Sequence, residues 1–195
     1  SGLINNCGIV KREDAQLITQ AWKIYKSPTK TNHPKGKAAR QFRADYSHAS
    51  RDIHFIGVWD TVGALGIPFS LMGLFDSHDE FYDTKMGANV DIARHALAID
   101  EKREDFAPTL WTPREGVDLE QVWFAGAHAD IGGAYSPDKN GTQASDTPLA
   151  WMLKEANAAG LITESHLHNR LTDGAQGNIH QSRKHVYRFK RPLDR

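Results

Sequence analysis

Two hydrophobic runs, each ending in a titratable residue and then breaking into a turn, constrain this chain more than anything else in it. Gln121 to Tyr135 carries the short β-branched and aromatic run Val122–Ala125, after which small residues let the backbone leave tightly into a glycine-rich loop. Ile53 to Trp59 has the same design, and it ends in Asp60 followed by Thr61, Val62 and Gly63. Open α/β sheets keep ligand-binding and catalytic groups at the carboxyl ends of their strands. His128 and Asp60 are therefore the first candidate working residues, with Gly132 and Gly133 supplying backbone freedom or close approach beside the histidine. A single histidine after a strand is ordinarily a loop residue with a local hydrogen bond. An acid and an imidazole delivered by two strand ends are what activation of a nucleophile requires.

The composition accommodates such a sheet. With 195 residues, 39% of them hydrophobic, and 24 basic residues against 24 acidic ones, the chain is long enough for one domain with a sizeable core. No apolar run approaches the roughly 20 residues that span a bilayer, and Ser1–Asn6 lacks the basic-then-apolar layout of a signal peptide. Cys7 is the only cysteine, so neither an internal disulfide nor a cysteine zinc framework can form. His78, Asp79 and Glu80, near Asp76, lack a second histidine at helical spacing and make a weak metal signal. Lys23, Lys26, Lys30, Lys35, Lys37, Arg40, Arg43 and Arg51 face Asp45 alone in their stretch. A run of this kind can meet phosphate on a membrane surface, although a solvated helical face is the ordinary explanation. Sparse aromatics and the lack of an accompanying motif argue against nucleic acid.

Along the chain, Ser1–Val10 reads as the tail of an element begun earlier, and Glu13–Lys26 as an amphipathic helix with Leu17, Ala21 and Ile24 or Tyr25 on one side. Ala38–His48 has helical composition, Phe69–Phe75 reads as an apolar loop or short helix, and Asn89–Ile99 as a second amphipathic helix. An ion pair of Asp100 or Glu101 with Arg103 is expected to fix Phe106–Trp111. Asp146-Thr147-Pro148 starts a further helix that Gly160 stops, and Val186–Phe189 reads as a last short strand. Strands separated by helices make the class α/β, with a mostly parallel sheet.

Acid at Asp60 and base at His128 lack the first member of a serine triad, because no Gly-x-Ser-x-Gly elbow occurs in the sequence. Four motifs, Gly57–Gly63, His95–Arg103, Phe106–Trp111 and Gly126–Gly133, resemble in their order the uncharacterised α/β-hydrolase family known as domain of unknown function 2235, whose members include catalytic domains of type VI secretion phospholipase effectors. The resemblance runs over nearly the whole chain. It implies an α/β-hydrolase-like fold in which residues 1–195 form the C-terminal part of a single domain, with 1–10 the tail of the helix that follows the nucleophile.

In that family an elbow serine precedes a segment resembling Ser1–Gly8, so the resemblance puts the nucleophile upstream of Ser1, Asp60 in the place of the triad acid and His128 in that of the base. Asp130, two residues beyond His128, competes for the acid role, but a neighbour at that spacing more often fixes its own loop. The implied activity is serine-dependent hydrolysis of lipid carboxylic esters with no cofactor, the substrate being a lipid or phospholipid. The implied localisation is the producer's cytoplasm followed by delivery to a target cell. The 195 residues alone are expected to be inactive and, with sheet neighbours of Ile53–Asp60 supplied from upstream, marginally stable or self-associating. The alternative is a non-catalytic binding module derived from the same fold.

Overall fold

The computed structural model describes residues 2–50, 52–62, 87, 89–189 and 191–195. Three strands form one parallel sheet in the order β1 (Ile53–Trp59), β2 (Val90–Ala98), β3 (Asp118–Phe124). In the β2–β3 ladder Ala96 lies opposite Val122 and Ala98 opposite Phe124. The described residues fall into two compact units, those within 2–54, 87–91 and 112–117 in the first and those within 55–62, 92–111 and 118–195 in the second.

The first unit is mainly helical, with α1 (Gly2–Cys7), α2 (Ile18–Lys26) and α3 (Lys37–Tyr46). A 3₁₀ turn over Arg12–Leu17 leads into α2, so the expected helix from Glu13 is tighter in its first half. Its apolar side behaves as the spacing predicts. Cys7, Ala21 and Phe42 are buried, with Leu3, Leu17 and Ile24 packed on them. Burial pushes the Cys7 thiol up to about 11 against the opposing charge of Arg43, and its Sγ donates to the Ala21 carbonyl at 3.3 Å. This is an inert structural thiol.

The second unit holds the sheet core. Ala96, Ala98, Ile131 and Met152 are buried together, flanked by Phe55, Trp59, Phe124 and Trp151. Met152 comes from α5 (Asp146–Ala158), which starts and stops where its sequence signals stand, with Gly160 at φ 97°. The helix lies so close to β1 that a Cβ on Gly57 would sit 2.5 Å from the Met152 sulfur. The Asp146 carboxylate accepts from Thr172 N–H and hydroxyl at 2.7 and 2.6 Å and makes no cap of its own helix.

Two expectations fail. Residues 90–98 form the middle strand and not a helix. As the central strand of a parallel sheet, β2 is covered on both faces and shows no alternation, and its small alanines mimic a helical stripe. His185–Phe189 is a 3₁₀ turn and not a strand. Phe69–Phe75 and the Asp76–Glu80 cluster lie outside the described residues.

Candidate active site

β1 ends where the backbone of Asp60 turns through φ 36°, the one non-glycine positive φ among the described residues. Aspartate tolerates this region better than a branched residue, and the turn aims the carboxylate along the sheet edge. The Asp60 N–H donates to Ala96 O at 2.6 Å, and Oδ1 accepts from Ala98 N–H at 2.9 Å, so the acid is pinned to β2 at two points.

β3 delivers its end to the same edge. Asp100 N–H donates to Gly126 O at 3.0 Å, and Gly126 N–H donates back to Asp100 Oδ2 at 2.7 Å. Gly126, at φ 126°, passes so near Asp130 that a Cβ would meet Asp130 Cβ at 2.8 Å. The chain then winds into the one-turn helix α4 (His128–Ile131). Gly132 closes this turn, its N–H donating to His128 O at 2.9 Å, and Gly133 at φ 73° leads the chain away.

These paths bring Asp60 and His128 together. His128 Nδ1 lies 2.8 Å from Asp60 Oδ2, across 68 residues of sequence. Asp60 is buried, whereas the His128 side chain is 32% exposed. An ionised carboxylate only accepts, so Nδ1 carries a proton, and in the neutral ring the lone pair is then on Nε2. Among the described residues no group is bonded to Nε2.

Three further groups hold the pair, of which only the Glu101–Arg103 ion pair is expected from the sequence. The Arg195 side chain is almost fully buried and reaches both Asp60 oxygens, with Nη1 to Oδ1 at 2.8 Å and Nη2 to Oδ2 at 3.4 Å, while also donating to the carbonyls of Ala98 and Phe106. Burial pushes the Asp60 carboxyl up, but the hydrogen bonds of His128, Arg195 and Ala98 and the charge of Arg195 outweigh it and hold it below the usual carboxylate range. Glu101, fully buried, accepts the His128 backbone N–H at 3.3 Å and pairs with Arg103 at 2.8 and 2.9 Å. Of the two acids offered for that ion pair it is Glu101 that makes it. The Arg103 guanidinium lies 3.6 Å over the Phe106 ring, which meets the His128 ring edge-on at 5.1 Å. The third is His95 of β2, whose Nε2 accepts Thr61 N–H at 3.1 Å while Nδ1 lies 3.3 Å from Gln121 Oε1. Thr61 follows the acid directly, so this link braces the turn that carries it.

Asp130 does not touch the His128 ring. It reaches back to the Ala127 N–H at 2.9 Å and binds a different histidine, His180 Nδ1, at 2.6 Å. Among the described residues no group of three or more His, Cys, Asp or Glu is placed to hold a metal ion. No described helix is long and apolar enough to cross a membrane. The basic run divides in use. Lys23, Lys30 and Arg40 are exposed, whereas Arg43 donates to the carbonyls of Asn6 and Pro34.

Residues 1–155 match the family model of the type VI secretion system phospholipase effector Tle1-like catalytic domain. Over 120 residues the chain is 25% identical to an uncharacterized protein of Saccharomyces cerevisiae, an alignment that covers 58% of this chain and 16% of the yeast protein. No solved structure matches the chain significantly.

Proposed function

Because the chain belongs to the type VI secretion phospholipase effector family of Tle1-like catalytic domains, we propose that Asp60 and His128 are the acid and base of its serine triad. The family fixes the coarse chemistry, hydrolysis of lipid by an α/β-hydrolase-type domain. The observation that carries the finer reading is the 2.8 Å bond from His128 Nδ1 to a buried, ionised Asp60, with Nε2 unclaimed on a partly exposed ring. In this reading both compact units belong to one hydrolase domain, whose nucleophilic serine is supplied by a segment preceding Ser1.

The serine hydroxyl attacks the ester carbonyl as its proton passes to His128 Nε2. The imidazolium is stabilised by Asp60 and then protonates the departing alcohol, leaving an acyl-serine. Water hydrolyses the acyl-enzyme by the same route, with Nε2 again the base. Arg195 and the Ala98 N–H orient the carboxylate and keep it ionised, which is the state that selects the Nδ1–H tautomer. We also propose that the exposed lysines of the first unit, with half-exposed Trp22 beside Lys26, meet an anionic membrane surface.

The test is phospholipid hydrolysis by the full-length protein. His128→Ala is expected to abolish it while the folded state persists, since a partly exposed loop imidazole carries little of the core. A folded His128→Ala protein with wild-type turnover contradicts the assignment.

A further inference from the structure

A cavity of about 420 Å³, within the range of sites for small molecules, is walled by Asp100 and Lys102 on one side and by residues 179–183 and Arg188 on the other. Its charged lining is mainly positive: Lys102, Arg183 and Arg188 against Asp100. The acid is already engaged, because Asp100 Oδ2 accepts the Gly126 N–H. Arg183 donates to the carbonyls of Tyr187 and Arg188 at 3.0 and 2.8 Å, folding the turn that presents Arg188. The side chains of Lys102 and Arg188 form no ion pair or hydrogen bond with another described residue. Two unpaired cations on the wall of one cavity are a ready receptor for an anion.

Both walls are fastened to the turn that carries His128. On one, Glu101, between Asp100 and Lys102, accepts the His128 N–H at 3.3 Å. On the other, the His180 ring and backbone N–H bond to Asp130 at 2.6 and 3.0 Å. The walls are braced against each other where Lys102 N–H donates to Ser182 Oγ at 3.2 Å. In a glycerophospholipid the acyl ester and the phosphate are a few bonds apart, and both walls of this cavity are bonded to the turn that carries His128.

Resting on the hydrolase reading above, we propose that this cavity binds the phosphate group of the substrate, with Lys102 and Arg188 as its cations. The shared chemistry, a phosphate anion, has two sources, a lipid headgroup or free inorganic phosphate. The proposal commits to the headgroup.

The experiment compares full-length protein with Lys102→Gln, Arg188→Gln and the double variant. The substrates are dibutyryl phosphatidylglycerol below its micelle concentration and dibutyrylglycerol, which lacks the phosphate. Monomeric substrates remove any contribution from adsorption to a surface. The ratio of kcat/KM for phospholipid to that for diacylglycerol is expected to fall roughly 10- to 100-fold in the double variant, the loss that accompanies one or two charge-assisted contacts. An unchanged ratio overturns the proposal, including one in which both substrates decline together. In a second arm, glycerophosphoglycerol and inorganic phosphate are titrated into the protein and binding is followed by calorimetry. Tighter binding of the glycerophosphodiester, lost in the double variant, supports the headgroup site. Equal or tighter binding of inorganic phosphate overturns it. Because this arm needs no turnover, a wild-type protein inactive on both esters sinks the triad reading while the cavity is still judged by the titration.

Discussion

Among the described residues two aspartate–histidine pairs with a buried acid have nearly the same dimensions, and α4 contributes to both, whereas a third, His54–Asp91 at 3.1 Å, is exposed on both sides. Asp60–His128 spans 2.8 Å and Asp130–His180 spans 2.6 Å, each joining a buried acid to an imidazole about one third exposed. What differs is what surrounds them. Asp60 stands at a strand end at a positive φ, with a buried arginine on both oxygens, and its histidine meets only the edge of Phe106. Asp130 spends its carboxylate on the N–H groups of Ala127 and His180, and the His180 ring is stacked on Tyr135 at 3.8 Å between centroids. The first pair is held from behind with the far nitrogen of its ring open. The second ties His180 to α4, and a ring stacked in this way has one face covered. A bonded carboxylate and imidazole is thus no evidence of catalysis in itself; the backbone that delivers it and the groups behind it decide.

Exchanging the histidines gives the largest expected contrast. In the full-length protein His128→Ala should lower kcat for phospholipid by about 10⁴ or more, by analogy with removal of a triad member. His180→Ala should remain within about tenfold (1.4 kcal/mol) of wild type. Equal losses would erase the distinction between the pairs.

The acids should separate by kind of effect. Asp60→Asn presents an amide that cannot select the Nδ1–H tautomer, and kcat should fall by about 10⁴, the size of the loss when a serine protease suffers the same change. Asp130→Asn weakens a structural tie to two backbone N–H groups. It should therefore lower the unfolding free energy by about 1–3 kcal/mol in a denaturant titration, with most of the turnover kept.

Arg195 offers a finer test. Among the charged groups around the Asp60–His128 pair, which include Glu101, Arg103 and His95, Arg195 alone bonds the Asp60 carboxylate from behind. Replacing it by Gln removes the charge and the paired donors that hold the Asp60 carboxylate ionised and in place, and kcat should fall by an order of magnitude, a change of about 1.4 kcal/mol. Arg195→Lys keeps the charge and should recover part of that loss. Equal losses in the two variants would assign Arg195 to packing alone.

His95 gives the smallest effect, and it serves as a histidine near the site without a carboxylate bonded to its ring. Burial pushes its pKa down, against the Gln121 hydrogen bond and the charge of Asp60. The unfolded chain therefore binds the proton more readily, and stability declines as pH falls from about 6.5 through the lower folded value. His95→Leu should cost about 1–3 kcal/mol at neutral pH by leaving the Thr61 N–H without its acceptor. It should also flatten the loss of stability on acidification, which thermal unfolding at pH 7 and pH 5 would measure.

The two strand ends were legible because a hydrophobic run, a terminal polar residue and a following glycine turn are local signals. So were the apolar faces of α2 and α5 and the Glu101–Arg103 pair, all written within a few residues. β2 was not legible. Its neighbours on both sides remove the alternation that marks a strand, and Arg94 and His95, polar in sequence, are buried there by partners on β3 and α5 or beyond β1. Arg195 and His180 were missed for a different reason. They meet their acids across 135 and 50 residues, and nothing near either residue announces the contact. Asp130 shows the limit from the other side, since spacing drew attention to it as a rival acid expected to fix its own loop, as its bond to the Ala127 N–H does, but its histidine comes from a stretch that reads as featureless polar loop.

The central claim, that Asp60 and His128 activate a serine, is tested most directly by reaction of the full-length protein with a fluorophosphonate probe, followed by peptide mapping. The account predicts one phosphonylated serine, in the elbow segment preceding Ser1, modified rapidly in wild type and in His180→Ala and not detectably in His128→Ala. Labelling of that serine at an equal rate in His128→Ala, or its absence in a wild-type protein that hydrolyses phospholipid, would contradict it.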